Sequence, residues 1–160
     1  MEVLNYTLIL TLQLLLLLYD LVINATIALI NPTNVIQLVL FILQDTFIVF
    51  TLIILFLELF NTTTFQAGFI RVMLHKFRVA IIVTIIYLCL SIGIQAWTLV
   101  VKWTDPNAYL FALGGYYFLY IVQRGWSPIY YYYYKITALR LGDSRFYKSS
   151  EWLRNQMAPR

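Results

Sequence analysis

Three ionisable residues, Asp20, Asp45 and Arg124, stand inside long apolar stretches of this 160-residue chain. A charge at the centre of a bilayer costs at least ~2.5–3.5 kcal/mol unless a partner, a water-filled cavity or the protein interior receives it. Groups so placed can relay protons or ions. Their structural role is to neutralise one another and fix helix register. Asp20 lies about ten residues before the end of its run and Asp45 about ten after the start of its own, so at ~1.5 Å rise per residue both sit near the midplane. Arg124 falls one to two turns nearer the side of the termini, within side-chain reach. Pairing of Arg124 with Asp45, Asp20 or both is therefore expected. Pro128 lacks an N–H for the carbonyl of Arg124, which predicts a kink there. Paired half-helices with matching Gly/Pro breaks, an inverted repeat and a filter-like loop are all missing, which favours the structural role over conduction.

Other chemistry finds little footing. His75 is the single histidine, sits in a basic loop and has no Cys or acid at metal-ligand spacing, so no metal is expected. Cys89 falls in the middle of an apolar run and reads as small core filler. The acids are too few and scattered for general acid–base work. Gly114 and Gly115 match no phosphate-binding fingerprint and read as points of close helix approach. No cofactor and no enzymatic activity are expected.

The elements that must position the three charges follow from composition. With 62% hydrophobic, 18% aromatic and 11% charged residues, the chain lies outside the range of water-soluble domains. The net charge of +4 does not suggest nucleic acid, because the basic residues sit at helix ends and in the tail. Four spans are expected, at about 4–30, 35–60, 79–101 and 109–134, each long enough to cross ~30 Å of hydrocarbon. The first is too long for a signal peptide and carries Glu2 instead of a basic start. Asn31-Pro32-Thr33-Asn34 is a tight turn. The segment 61–78 is a basic loop in which Phe69, Ile70, Met73, Leu74 and Phe77 predict a short interfacial helix. Asp105 as N-cap with Pro106 behind it predicts the start of the fourth helix.

Polar residues recur along one face of each span. Gln37, Gln44, Thr51 and Glu58 are spaced by sevens; Thr84, Ser91, Gln95, Thr98 and Lys102 form a second seam. Tyr6, Gln13, Asp20 and Asn24 form a third, and Tyr117, Tyr120, Arg124, Ser127 and Tyr131 a fourth. Lipid cannot hydrogen-bond such seams, so they should turn toward protein. The fold class expected is all-α, a four-helix transmembrane bundle over 1–134 with a tail at 135–160. Gln13, Gln37, Gln44, Ser91 and Gln95 are its principal seam residues.

Basic residues set the orientation. Arg71, Lys76, Arg78, Lys135, Arg140, Arg145, Lys148, Arg154 and Arg160 collect on the side of the termini, against Lys102 on the other, which places both termini in the cytosol. Tyr130 to Tyr134 read as an aromatic belt at that interface, with Trp97 and Trp103 at the opposite one. The sequons at Asn5, Asn24 and Asn61 are then cytosolic or intramembrane, and none should carry glycan. In the tail, Gly142 ends the helical extension and Asp143 caps a new segment. Phe146, Tyr147, Trp152, Leu153 and Met157 alternate there with Arg145, Lys148 and Arg154. This basic amphipathic element, with Arg140, Asp143, Phe146, Tyr147, Trp152 and Arg154 as contact residues, suits anionic lipid headgroups at the cytosolic face or a protein partner.

Several pieces carry a family resemblance: Tyr19-Asp20-Leu21, Val35 to Phe41 with Gln44-Asp45, Phe65-Gln66-Ala67-Gly68, His75-Lys76-Phe77 and Gln123-Arg124. To these the tail adds Arg140-Leu141-Gly142-Asp143, Phe146-Tyr147 and Trp152-Leu153-Arg154. Over nearly its full length the chain resembles the transmembrane protein 138 family of four-span ciliary membrane proteins. The resemblance implies a non-enzymatic role in building cilia, at the transition zone or in vesicles that carry membrane proteins there. It implies other ciliary membrane proteins as partners, with an oligomer possible. The competing expectation is a small ion- or proton-conducting protein built on Asp20, Asp45 and Arg124.

Overall fold

The computed structural model describes residues 3–30, 32–62, 68 and 70–142. Among these, four α-helices run up and down in chain order: α1 (Val3–Ile30), α2 (Asn34–Phe60), α3 (Ile70–Thr104) and α4 (Gly114–Leu141). A single 3-10 turn, Leu110–Ala112, precedes α4. Helices are what such apolar runs must form, because hydrocarbon leaves backbone N–H and C=O groups no partner outside their own segment. Asn5–Ile27, Asn34–Phe60 and Leu74–Thr104 are long and apolar enough to cross a membrane. The 28 residues of α4 match α1 in length, but tyrosines lower its hydropathy. It packs antiparallel along α3, with Tyr116 meeting Thr98, Gln123 meeting Ser91 and Trp126 meeting Val83.

Two boundaries differ from expectation. The third helix starts at Ile70 rather than Val79, so the segment read as a separate interfacial helix is the first two turns of α3. Gly68, at φ +90°, takes the left-handed turn just before it, and no Gly or Pro interrupts the chain between there and Gly93. At 35 residues α3 is about 52 Å long, well beyond the hydrocarbon core, so one end projects. The fourth helix, in turn, does not open at Asp105. The amide of Asp105 still closes a helical bond to Val101 O at 2.9 Å, and its Oδ1 accepts from the amide of Asn107 at 3.0 Å. Asp105 thus builds a turn that ends α3, and α4 begins only at Gly114.

The polar seams face inward on three helices as expected. Gln37, Gln44, Thr51 and Glu58 on α2 are buried, as are Thr84, Ser91, Gln95, Thr98 and Lys102 on α3, and Gln13 and Asp20 on α1. On α4 the expectation holds in part: Ser127 is buried and Tyr131 is half-buried and bonds Asp20, but most of the buried face is made by other residues. That face comprises Tyr116, Gln123, Ser127, Tyr130, Tyr134, Thr137, Ala138 and Leu141, while Tyr117 is 52% exposed. The run Tyr130 to Tyr134 is accordingly not one belt. Tyr130 and Tyr134 are core residues at 1% exposure, Tyr131 is half-buried, and only Tyr132 and Tyr133 face outward. Five consecutive helical residues point all round the axis, so they cannot share an interface. Cys89 is exposed on the outer face of α3 and fills no core space.

Apolar packing holds the end that carries the termini. Leu17, Ile48, Leu55, Leu59, Phe77, Val83, Tyr87, Tyr130, Tyr134 and Leu141 form one cluster there. Tyr87 and Tyr130 stack at 4.5 Å between centroids. The helices also approach closely at two glycines. A Cβ on Gly115 would lie 2.9 Å from Trp97 Cη2, and one on Gly142 would overlap the Tyr6 ring. Gly114 meets nothing, so of the glycine pair only Gly115 serves close approach. Gly142 is the C-cap of α4, as its position in the tail suggested.

Candidate functional site

Asp20 is the hub of the bundle. It is 2% exposed and its carboxylate accepts from three helices besides its own neighbour in α1. Gln44 Nε2 of α2 donates to Oδ1 at 2.6 Å. Tyr87 Oη of α3 donates to Oδ2 at 2.7 Å, and Tyr131 Oη of α4 donates to the same oxygen. Asn24 Nδ2, one turn along α1, adds a contact at 3.1 Å. Hydrogen bonds to an ionised acceptor are the strong ones, and burial makes their loss costly.

Tyr87, which is fully buried, extends the network. Besides donating to Asp20, its hydroxyl accepts from Asn24 Nδ2 at 2.7 Å and lies 3.3 Å from both Gln123 Nε2 and Ser127 Oγ, whose one proton also faces Gln123 O at 3.1 Å. Gln123 Nε2 also reaches Ser91 Oγ at 3.4 Å. Gln95 Nε2 donates to Gln44 Oε1 at 3.1 Å, and Gln44 Nε2 reaches Asn24 Oδ1 at 3.1 Å. Every helix supplies at least one member. Of the expected seam residues, Gln44, Ser91 and Gln95 join this network. Gln37 lies nearer the end opposite the termini, its Oε1 buried without a hydrogen-bonding partner.

A second polar layer lies toward the termini. Gln13 Nε2 donates to Glu58 Oε2 at 2.9 Å between α1 and α2, and Gln13 Oε1 is left without a partner. The Thr51 and Tyr130 hydroxyls meet at 3.1 Å, and Tyr134 Oη donates to Thr51 O at 2.8 Å. Glu58 was visible as a seam position but not as a third buried acid.

The structure does not bring Arg124 to the acids. Its Nε and Nη1 are buried with no hydrogen-bonding partner, and its Cζ stands 4.9 Å from the centroid of Tyr120. Position along α4 explains this. Tyr131, seven residues on along the same face, stands at the level of Asp20, so Arg124 lies about two turns (~10 Å) nearer the end opposite the termini, and neutral donors already fill the Asp20 oxygens. Asp45 is half-buried at the rim, with Oδ1 unpartnered. Gln95, which stands beside Asp45, donates its Nε2 to Gln44 Oε1 at 3.1 Å.

Arg124 lines a partly open cavity of about 230 Å³ between the helices at the end away from the termini. Gln37, Gln95, Thr98, Lys102, Tyr116 and Gln123 line it too, and Ala108 to Phe111 of the α3–α4 connection close over it. Asn34 Nδ2 fixes the backbone there through Lys102 O at 3.0 Å. Sequence reasoning missed both this cavity and Tyr87. The latter was hidden because tyrosine counts as apolar, although position 87 falls three residues after Thr84 and four before Ser91, on the same face. Of the tail residues, Arg140 is exposed at the end of α4. Asp143, Phe146, Tyr147, Trp152 and Arg154 lie outside the described residues. Among the described residues no group of three His, Cys, Asp or Glu side chains is placed to hold a metal.

Comparison with known proteins gives a consistent answer. The family model described as transmembrane protein 138 matches residues 37–156. Transmembrane protein 138 of Xenopus tropicalis is 47% identical over 154 residues, spanning 96% of this chain and 94% of its own length. The Mus musculus protein of that name is 47% identical over 152 residues, spanning 95% of this chain and 93% of its own, and the Danio rerio one is 42% identical over 154 residues. No solved structure matches the chain. A family model covering most of the chain, together with relatives alike from end to end, means that the chain belongs to the transmembrane protein 138 family.

Proposed function

We propose that this protein is a non-enzymatic adaptor or scaffold in cilium assembly, acting at the ciliary transition zone or in vesicles that carry membrane proteins to the cilium. The observation that carries the reading is kinship with transmembrane protein 138 over nearly the whole chain, the tail included. The packing is in keeping with it. Most seam side chains bond to one another, so the outer surface is left aliphatic and aromatic, with Leu8, Val39, Val100, Phe118 and Tyr132 among its exposed residues. Such a surface suits lipid or the helices of another membrane protein.

Within this reading, Asp20 holds the four helices in register, while Asp45 stands half-buried at the rim and Arg124 in the cavity between the helices. Both termini lie in the cytosol, where the basic tail meets anionic headgroups or a partner. The conducting alternative gains no support: Asp20 is enclosed by neutral donors and Arg124 contacts neither acid.

A biotin ligase fused to the C-terminus in ciliated cells tests the proposal. Labelling should enrich membrane proteins of the transition zone or of cilium-bound vesicles, and cells lacking the protein should form fewer cilia. Normal cilia in the null cells, with labelling confined to unrelated membranes, would overturn it.

A further inference from the structure

The cavity at the α3–α4 connection has a one-sided charge. Arg124 and Lys102 both line it, and none of its described lining residues carries a carboxylate. Around the two cations stand amides and hydroxyls, from Gln37, Gln95, Thr98 and Gln123, that can donate to an oxyanion. The rest of the wall is apolar or aromatic, including Phe41, Ile94 and Phe111. The nearest buried acid, Asp20, lies behind Asn24 and Gln44 and is filled by donors from Tyr87, Tyr131, Gln44 and Asn24. Asp20 therefore acts on Arg124 only at a distance, without an ion pair, and a guanidinium at this depth with two unpartnered nitrogens is costly. The contact with the Tyr120 face offsets only part of that cost.

Size narrows the occupant. A volume of about 230 Å³ far exceeds the ~10–15 Å³ that holds one water and falls short of the ~300–1,000 Å³ of sites that enclose a whole drug-sized molecule. It suits a head group whose chain leaves through the open side of the cavity. We propose that the cavity binds the oxyanion head of an acidic amphiphile, a phosphate or carboxylate seated between Arg124 and Lys102, with its apolar chain leaving past the aromatic mouth. This goes beyond the adaptor reading and stands without it, on the chemistry of the cavity alone. It concerns the end of the bundle opposite the basic tail.

The test uses the full chain in phosphatidylcholine nanodiscs that contain a photoreactive phosphatidic acid, with crosslinked peptides mapped by mass spectrometry. Crosslinks are expected on the segment 108–124. They should fall about tenfold or more in R124Q and in K102Q, and stay unchanged in K135Q, whose charge lies at the far end. Should R124Q fail to fold, K102Q alone decides. Competition by inorganic phosphate would assign the site to free oxyanions, and its failure alongside competition by unlabelled phosphatidic acid would assign it to lipid; either supports the oxyanion seat. Equal labelling by a photoreactive phosphatidylcholine, or labelling indifferent to both substitutions, would overturn the proposal.

Discussion

Tyr87 and Asp20, 67 residues apart in the chain, are joined by a 2.7 Å hydrogen bond at the centre of the bundle. The phenol donates to the carboxylate while accepting from Asn24 and standing within 3.3 Å of Gln123 Nε2 and Ser127 Oγ. One hydroxyl thus ties α1, α3 and α4 together. Replacing Tyr87 by Phe keeps the ring stacked on Tyr130 but removes that oxygen, leaving Asp20 short of a donor and the Gln123 amide short of an acceptor. Y87F should lose roughly 1–3 kcal/mol, read as a lower thermal midpoint in detergent. Y133F, at an outward-facing position, should melt with the parent protein.

Asp20 offers a sharper measurement, because its partners can be removed in pairs. D20N leaves volume unchanged but weakens charge-assisted bonds from Tyr87, Tyr131 and Gln44. In a double-mutant cycle, D20N and Y131F should couple by at least ~0.5 kcal/mol. Strict additivity would show that the Tyr131 contact contributes nothing to the fold.

Glu58 should behave in the opposite way. Its Oε2 accepts from Gln13 Nε2, while Gln13 Oε1 is buried without a donor. A glutamine at 58 can accept through its oxygen and offer its own Nε2 to that orphan. E58Q should therefore match or exceed the parent in stability, whereas E58L, which leaves the Gln13 amide unpaired, should cost roughly 1–3 kcal/mol. Thermal unfolding of the two variants side by side checks both signs.

Much of this arrangement is legible in the sequence, and the part that is not has a physical reason. Sevenfold spacing on α2 gave a buried seam at every position, because Gln, Thr and Glu contrast sharply with the aliphatic residues around them. On α4 the contrast fails. Tyrosine can face lipid, interface or core, so hydropathy leaves the inward face uncertain by one residue. Depth is hidden as well: Tyr131, two turns beyond Arg124 on the same face, is the α4 residue that reaches Asp20. The Asp105-Pro106 pair misled for a related reason: the same side chain that caps a helix can instead close a turn on Asn107.

Gly142 tests the contact between the ends of α1 and α4. Its φ of −76° is open to any residue, so space and not backbone freedom requires glycine here. A methyl group would overlap the ring of Tyr6. G142A should lower the thermal midpoint, and Y6A should abolish most of that added loss by removing the ring. Equal losses from G142A in both backgrounds would mean that the close approach does not matter.

Arg124 gives the last contrast, between stability and binding. Its Nε and Nη1 have no partner in the bundle, so its charge opposes folding of the ligand-free protein. The contact with Tyr120, worth about 0.5–2 kcal/mol, and a distant attraction to Asp20 work the other way. R124M, which keeps the length of the chain and removes the charge, should leave the thermal midpoint in lipid-free detergent unchanged or raise it. R124M should also lose the rise in midpoint that added phosphatidic acid gives the parent. A marked fall in the lipid-free midpoint would show instead that the guanidinium is neutralised within the fold, as pairing with Asp20 or Asp45 would require.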